Sequence, residues 1–256
     1  MIHSWSKFYY GVDVTTDNLY LSFNEGGSEL IAEVTRGKYT PTEALAAVAA
    51  AMSDAGSQAY TVTMDRSTRR VTISAAAPFT LMIGTGTTST SSIFGTLGFS
   101  GADVGPVTSA TGAGKIGSEY VPQFKLQDWI DPEHYKKAVE STIKKTADGR
   151  VEVVTFGVEQ YLQAHIRYAT NKMVGWDVFR TNATGVADLV SLMDWLTKKY
   201  PVELIPDEDL PNVFYTLILE RTQESQQGTD YKLRELYDKN LPDFFETGIL
   251  LFRLIE

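Results

Sequence analysis

Alternation of apolar and polar residues predicts several β-hairpins in the first third of the chain. LYLSF (residues 19–23) and ELIAEV (residues 29–34) alternate with the period of a half-buried strand, and NEGGS between them supplies turn residues. YTVTMDRSTRRVTIS (residues 60–74) alternates in the same way on both sides of DRST and predicts a second hairpin. FTLMI (residues 79–83) predicts one more strand.

The segment between the two hairpins has the period and the end signals of a helix. Thr40 is a suitable N-cap, Pro41 suits the first helical position, and Glu43 completes a capping box with Thr40. Gly56 stands where a glycine that ends a helix is expected. The apolar stripe of this helix consists of Leu45, Val48, Ala49 and Met52. We therefore expect an amphipathic helix packed against a sheet.

The second half of the chain repeats this plan of strands around one helix. Strands are predicted in AVESTIKKTADGRVEVVTFGV (two, joined at ADG), YLQAHIRYA (residues 161–169), VELIP, VFYTLILE and ILLFRLI. TGVADLVSLMDWLTKKY predicts the second principal helix, ended by Pro201, and LRELYDKN predicts a short one. The predicted fold class is strand-rich α+β, with two domains, each a mainly antiparallel sheet or split barrel packed against one principal helix.

A shift of composition after residue 100 suggests where the two domains are divided. GPVTSATGAGKIGS is rich in glycine, serine, threonine and alanine and has almost no large apolar residue, as is typical of linkers. We predict an N-terminal α+β module at residues 1–100, a linker or exposed loop at residues 101–120, and a C-terminal sheet-plus-helix domain at residues 121–256.

Composition narrows the classes of function. The chain has 256 residues, enough for about two domains of roughly 100–150 residues each. Its formal net charge of -9 disfavours specific binding to nucleic acid or to anionic lipid. The lack of cysteine excludes disulfides, thiolate catalysis and zinc–thiolate sites. The N-terminus lacks the pattern of a signal peptide and no apolar run reaches the ~18 residues of a membrane span, so we expect synthesis in the cytoplasm and no membrane insertion.

Two glycine-rich stretches are candidates for phosphate binding. GTGTTS (residues 84–89) has two glycines of a dinucleotide fingerprint but lacks the third and has no βαβ context. ATGAGKIGS (residues 110–118) resembles a P-loop, yet it has Ser109 where glycine is required and Ile116 where serine or threonine is required. Turn chemistry favours loops over nucleotide sites in both places.

The ionisable residues form no catalytic pattern. His3, His134 and His165 lie far apart, and surface or interface positions are favoured over a role as a base. PDEDLP contains the three carboxylates at residues 207–209, without the spacing of a calcium loop or of a glycosidase pair. We predict no catalytic, metal-binding or cofactor-binding residue.

The aromatic residues leave a carbohydrate-binding groove as an alternative. The candidates for such a groove are Trp5, Tyr9, Tyr10, Trp129, Trp176 and Trp195. Trp195 falls beside the apolar stripe of the second helix and is expected in the core. Trp5, Tyr9 and Tyr10 lie near a chain end, where an aromatic cluster is expected to anchor onto a neighbouring domain or subunit.

Two longer segments resemble structural proteins of tailed-bacteriophage virions. Residues 38–103 run in the order capped helix, hairpin, strand ending in GTGT and then SIFGTLGF, which resembles a module that recurs in such proteins. GVADLVSLMDWLTKKYPVELIPD and YKLRELYDKNLPDFFETGILLFRLIE are similar to the sheet-plus-helix domains of phage tail and baseplate proteins, the distal tail type in particular. The additional N-terminal module departs from the simplest distal tail pattern.

This resemblance implies a structural role and no enzymatic activity. It implies a protein of the virion tail or distal tail and baseplate, which forms a three-fold or six-fold ring and docks to neighbouring virion proteins. It implies no cofactor, and it implies that the glycine-rich stretch is ordered, with an edge loop at residues 84–92 followed by Ile93, Phe94, Leu97 and Phe99 packed under the sheet. The alternatives are a head decoration or neck protein, a receptor- or glycan-binding module and, least favoured, a wall-degrading hydrolase.

Overall fold

The structure is a computed structural model that describes residues 7–121, 136–145, 151–166, 169, 186–206, 210–222, 231–235 and 245–255. The helices in these ranges are α1 (Pro41–Ala55) and α2 (Val186–Thr197), with a short 3-10 helix at Ser89–Ser91. The strands are β1 (Lys7–Tyr10), β2 (Val12–Val14), β3 (Tyr20–Asn24), β4 (Leu30–Glu33), β5 (Gly37–Tyr39), β6 (Tyr60–Asp65), β7 (Arg70–Leu81), β8 (Val104–Thr111), β9 (Ser118–Tyr120), β10 (Lys136–Lys145), β11 (Val151–His165), β12 (Val202–Ile205), β13 (Tyr215–Thr222), β14 (Arg234–Glu235), β15 (Phe245–Glu246) and β16 (Ile249–Leu254). The predicted strand-rich α+β class is confirmed.

The chain groups into two compact units. The first unit comprises Phe8–Glu119 and Pro201–Phe214, and the second comprises Met1–Lys7, Tyr120–Tyr200 and Tyr215–Glu256. A piece of the predicted C-terminal domain thus belongs with the N-terminal module. The division into two domains at residues 101–120 stays a prediction.

Helix α1 begins and ends where its sequence signals lie. The Thr40 hydroxyl accepts a hydrogen bond from the Glu43 amide at 3.3 Å, and the Glu43 carboxylate accepts one from the Thr40 amide at 2.8 Å, which completes the predicted capping box. Gly56 donates its N–H to the Met52 carbonyl and leaves the helix in extended rather than left-handed backbone. The buried face consists of Pro41, Ala44, Leu45, Val48 and Met52.

The main sheet of the first unit is antiparallel and has β7 at its centre. The hairpins β3–β4 and β6–β7 are confirmed, and β3, β6 and β8 all pair with β7. The prediction of a separate strand at residues 79–83 is wrong, because residues 79–81 are the end of the 12-residue strand β7. A register shift between Ser74 and Phe79 makes room for the exposed Ala76, Ala77 and Pro78, and this irregularity interrupts the alternation on which the prediction rested.

The core of the first unit is formed by buried side chains of this sheet, of helix α1 and of residues 93–99. In this core the Tyr60 ring lies edge-on to Phe23 and to Phe79, each with ring centroids 5.4 Å apart. The packing of Ile93, Phe94, Leu97 and Phe99 that the resemblance implies is confirmed, since all four are at most 3% exposed. The stretch after the glycine-rich loop is therefore a packed part of the fold.

The segment predicted as a linker or exposed loop at residues 101–120 contains two strands, so the prediction of a loop is wrong for Val104–Thr111 and Ser118–Tyr120. Strand β8 pairs antiparallel with β7, with Thr72 opposite Thr111 and Ser74 opposite Ser109. Strand β9 lies beside β1. Small hydroxyl residues are common in loops, but they also suit the solvent-facing side of a strand whose backbone is hydrogen-bonded to a neighbouring strand.

The second unit contains an antiparallel sheet with the strand order β10-β11-β16-β13. The predicted antiparallel pairing of β10 with β11 is confirmed, and the turn predicted at ADG lies outside the described residues. The separate strand predicted at residues 161–169 is instead the continuation of β11 to His165. Helix α2 confirms the second predicted helix and buries Leu189, Leu192, Met193 and Leu196. Within LRELYDKN, Arg234 and Glu235 form β14 opposite Glu246 and Phe245, so the helix predicted there is wrong for these two residues.

Candidate functional site

The glycine-rich loop at residues 84–92 is ordered by carboxylates of the protein itself. The Asp103 carboxylate accepts hydrogen bonds from the amides of Gly84 at 2.8 Å and Thr85 at 3.2 Å, and also from the Thr85 hydroxyl. The Glu29 carboxylate accepts from the Thr87 amide at 2.7 Å and from its hydroxyl at 3.0 Å. The amides that a bound phosphate would require are thus already bonded to protein carboxylates.

These contacts lower the pKa of both carboxyl groups. For Asp103 the main causes are the hydrogen bonds from the Thr85 hydroxyl and the Gly84 amide. For Glu29 they are the hydrogen bonds from the Ser22 hydroxyl and the Thr87 amide. Since a hydrogen bond to the ionised form favours that form, the loop holds these two groups as carboxylates.

Replacing Asp103 by asparagine is expected to loosen the loop while the fold persists. The change removes the charge from the acceptor of the Gly84 and Thr85 amides, so these two amides should exchange with solvent deuterons faster. Because the folded pKa of Asp103 is depressed, its contribution is complete above the ordinary value of 3.8 and is lost as the pH falls through the lower folded value.

NMR hydrogen exchange of wild type and variant checks this expectation, with Asp17→Asn as the control. Within the described part of the chain, the Asp17 carboxylate bonds only to the adjacent Thr16 hydroxyl, at 3.5 Å. Equal exchange rates for Gly84 and Thr85 in wild type and Asp103→Asn protein would contradict the role assigned to Asp103.

The second glycine-rich stretch is a close crossing of two backbones. Gly114 donates its N–H to the Gly98 carbonyl at 2.8 Å, and a Cβ on Gly98 would lie 2.5 Å from the Gly114 carbonyl carbon. A Cβ on Gly112 would lie 2.9 Å from the Gly98 oxygen. The glycines of ATGAGKIGS therefore permit packing, and the amide of Gly114 is used within the protein.

A buried ionic cluster joins the β12 segment to the N-terminus of α1. Glu203 has no exposed surface, and its carboxylate accepts hydrogen bonds from the Thr42 amide at 2.7 Å and from Arg66 Nη1 at 2.7 Å. Arg66 Nη2 donates to the Thr42 hydroxyl at 2.6 Å, and the guanidinium lies 3.6 Å from the centre of the Phe214 ring. The helix N-terminus and the arginine together neutralise the buried carboxylate.

A second arginine of the same hairpin turn organises the backbone near β9. Arg69, with φ of 56°, donates from Nη1 to the carbonyls of Ile116 at 3.0 Å and Gly117 at 2.9 Å. Its Nε lies 3.5 Å from the Glu119 carboxylate. The sequence predicts a turn at DRST but does not reveal the tertiary contacts of Arg66 within it and of Arg69 directly after it. The signal for the first was available, as Glu203 is a lone charge in the apolar run VELI.

Tyr9 and Tyr10 are buried, so neither lines an exposed groove. The Tyr9 hydroxyl donates to the Arg66 carbonyl at 2.6 Å. Burial, with the nearby Glu119 charge, raises the pKa of Tyr9 to about 12. Trp195 is half-buried in α2, with its ring edge-on to Tyr200 at 4.8 Å between centroids. Trp5, Trp129 and Trp176 lie outside the described residues.

The remaining predicted candidates do not meet in one place. His165 Nε2 lies 3.1 Å from the Glu246 carboxylate in the second unit, and both side chains are largely buried. His3, His134 and the carboxylates at residues 207–209 lie outside the described residues. In the ranges that the structure describes, no three histidine or acidic residues are grouped so that they could hold a metal ion.

Comparison of the sequence with protein-family models and with curated proteins found no relative. No protein-family model matches the chain. No curated protein sequence matches it. In the described part of the chain, neither helix is long and apolar enough to span a membrane.

Proposed function

We propose that this protein is a structural component of a tailed-bacteriophage virion, in the tail or in its distal end and baseplate. It acts without catalysis, by assembling into a ring and docking to neighbouring virion proteins. The resemblance of residues 38–103 and of the C-terminal segments to such proteins motivates the proposal. Head decoration and neck positions are alternatives within the same structural class.

The observation that carries the proposal is the β10–β11 ribbon of the second unit. Lys136–Lys145 pair with Val151–Tyr161, whereas β16 pairs with β11 only from Tyr161 to His165. Nearly all of the ribbon therefore continues past the part of β11 that pairs with β16, for about ten residues or roughly 33 Å of strand. Among the described residues this part has two strands and no third.

Such a ribbon supports assembly for two physical reasons. A two-stranded ribbon is marginally stable by itself in water, so contact with a neighbouring molecule stabilises it. Each of its strands also has an outer edge whose backbone groups can accept or donate hydrogen bonds. Arms of this kind add contact area between subunits without requiring a large flat interface.

Native mass spectrometry over a range of concentrations tests the proposal, and a ribbon deletion provides the variant. We expect the wild-type chain to show a discrete trimer or hexamer. Replacing residues 138–159 by Asn-Gly, so that Lys137 leads through the turn to Gln160, should weaken assembly at least tenfold. Lys137 and Gln160 lie opposite each other in the native pairing, so a two-residue turn can join them.

The control for the deletion is its unfolding midpoint, which should remain close to that of the wild type if only the ribbon is lost. A wild-type chain that stays strictly monomeric at high concentration and with its virion partners present would count heavily against the proposal. Immunoelectron microscopy of intact virions distinguishes a tail position from a head or neck position.

A receptor- or glycan-binding role gains no support from Tyr9, Tyr10 and Trp195, the predicted groove residues that the structure describes. Tyr9 and Tyr10 are buried, and Trp195 contacts Tyr200. Binding of an isolated monomer to a glycan array at micromolar strength would favour that role over the structural one.

A further inference from the structure

Three strands of the main sheet of the first unit have a single strand neighbour among the described residues: β4 pairs with β3, and β6 and β8 each pair with β7. Strand β6 ends in the charged Asp65, whereas β8 carries no charged residue. All steps from β4 through β3 and β7 to β8 are antiparallel, so β4 and β8 run in opposite directions. If the sheet of a second copy lies beside the first in the same orientation, its β4 is therefore antiparallel to β8 of the first copy.

Hydrogen bonds identify which backbone groups of β8 point away from β7. Gly112 donates its N–H to the Val71 carbonyl at 2.8 Å, so Ala110, two residues earlier, also directs its N–H and C=O toward β7. The backbone groups of Ser109 and Thr111 consequently point outward. Both residues have exposed side chains.

Strand β4 also has backbone groups that point away from its neighbour, β3. Val34 donates its N–H to the Leu19 carbonyl at 2.9 Å, so Ala32 also directs its backbone toward β3. The backbone groups of Ile31 and Glu33 therefore point outward. Ile31 is 47% exposed although it is a large apolar residue at the edge of a sheet.

We propose that β8 of one copy pairs antiparallel with β4 of the next copy, which continues the main sheet from subunit to subunit. The register that uses all outward groups places Thr111 opposite Ile31 of the next copy and Ser109 opposite its Glu33. Each of these two pairs exchanges two backbone hydrogen bonds. This inference rests on the proposed self-assembly and names the surfaces that carry it.

The occupant of each edge is a second copy because the two edges complement each other. They have opposite direction and the same two-residue spacing of outward groups. Strand β8 carries no charged residue, so Glu33 meets no like charge along it. Pairing covers the exposed Ile31. Two different edges in contact make a heterologous interface, the kind from which rings are built.

Disulfide cross-linking tests the register directly, since the chain contains no cysteine. Opposite residues of a hydrogen-bonded antiparallel pair have Cα atoms ~5.5 Å apart, which a disulfide can span. A chain with both Thr111→Cys and Ile31→Cys should give a ladder of covalent multimers under mild oxidation. The matched control carries Thr63→Cys and Ile31→Cys, because Thr63 is exposed on β6 and lies at neither proposed edge. It should give no ladder.

Single-cysteine chains distinguish this interface from a symmetric one. A mixture of Thr111→Cys chains and Ile31→Cys chains should yield covalent dimers, whereas each variant alone should yield none. Efficient dimers from Thr111→Cys alone would show that β8 pairs with β8, and would overturn the inference.

A backbone variant makes the test independent of cysteine chemistry. Ser109→Pro removes one outward N–H, a change that edge strands tolerate, and should weaken assembly at least tenfold. Ser109→Ala keeps the N–H and should assemble like the wild type, with circular dichroism confirming that both variants fold. Multimers of the wild type that neither cross-link at residues 31 and 111 nor respond to Ser109→Pro would overturn this inference and leave the proposed function standing. Monomers alone at every concentration would overturn the inference, and the proposed function would then be decided by adding virion partners.

Discussion

Replacing Arg66 by alanine is expected to lower the free energy of unfolding by about 3–5 kcal/mol, because it leaves the buried carboxylate of Glu203 without its counter-charge. Arg66 Nη1 lies 2.7 Å from the carboxylate, and the two side chains are 9% and 0% exposed. Among the described residues, the Thr42 amide is then the remaining hydrogen-bond donor to a carboxylate that has no exposed surface in the wild type. Urea unfolding followed by circular dichroism measures the loss.

Two further variants separate the buried pair from ion pairs in general. Asp13→Asn weakens the more exposed pair between Asp13 and Lys38 and should cost less than about 1 kcal/mol. The double variant Arg66→Met with Glu203→Leu removes both charges and should recover most of the stability lost in Arg66→Ala. If Arg66→Ala and Asp13→Asn lower the free energy of unfolding by the same small amount, the buried cluster does not stabilise the contact between β12 and α1.

Replacing Gly98 by alanine is expected to cost about 3 kcal/mol or more. Gly98 has φ of +82°, a left-handed backbone that costs a non-glycine residue roughly 1–2 kcal/mol. Its Cβ would in addition lie 2.5 Å from the backbone carbon and oxygen of Gly114, so one of the two chains must move. The hydrogen bond from the Gly114 amide to the Gly98 carbonyl would be strained with it. Urea unfolding measures the cost.

Two other glycines provide matched controls that separate the cost of the left-handed backbone from the cost of the steric overlap. Gly26 has φ of +85° and no described residue within 4 Å of its Cβ position, so Gly26→Ala reports the backbone cost alone. Gly95 likewise has no described residue near its Cβ position and no left-handed backbone, so Gly95→Ala should leave stability unchanged or raise it by about 0.5 kcal/mol. The expected order of cost is Gly98→Ala, then Gly26→Ala, then Gly95→Ala. Equal costs for Gly98→Ala and Gly26→Ala would show that the backbones at Gly98 and Gly114 can move apart without loss of stability.

The elements predicted correctly from sequence are those whose signals are local. The capping box between Thr40 and Glu43 requires only residues three positions apart, and it begins α1 as predicted. The hairpins β3–β4 and β6–β7 follow from a two-residue period and a turn. Burial of Ile93, Phe94, Leu97 and Phe99 follows from their apolar side chains once the stretch is taken as ordered.

The predictions that were wrong concern segments whose state depends on a distant partner. Strand β8 consists mostly of small and hydroxyl residues and is a strand because β7 supplies the other half of its hydrogen bonds. The sequence pattern predicts separate strands at the end of β7 and in the continuation of β11, because a bulge or a change of side-chain pattern interrupts the alternation of apolar and polar residues.

The contacts at the candidate site were beyond sequence analysis for the same reason. Glu203 and Thr42 are separated by 161 residues, and no local pattern connects a carboxylate in β12 to the first turn of α1. The loop at residues 84–92 could be recognised as glycine-rich, but its amides could equally have served a phosphate. Asp103 and Glu29 decide between these possibilities by their positions in space.

Sequence patterns were sufficient to predict the fold class, the two principal helices and the main hairpins, because the period of apolar residues and the capping and turn residues act over a few positions. The tertiary structure alone decided that residues 104–111 form a sheet edge, that the glycines at 98, 112 and 114 permit a backbone crossing, and that Arg66 and Glu203 meet. Those outcomes depend on hydrogen-bond partners and steric neighbours far away in the chain, and the energy of a polar group depends on whether it finds such a partner.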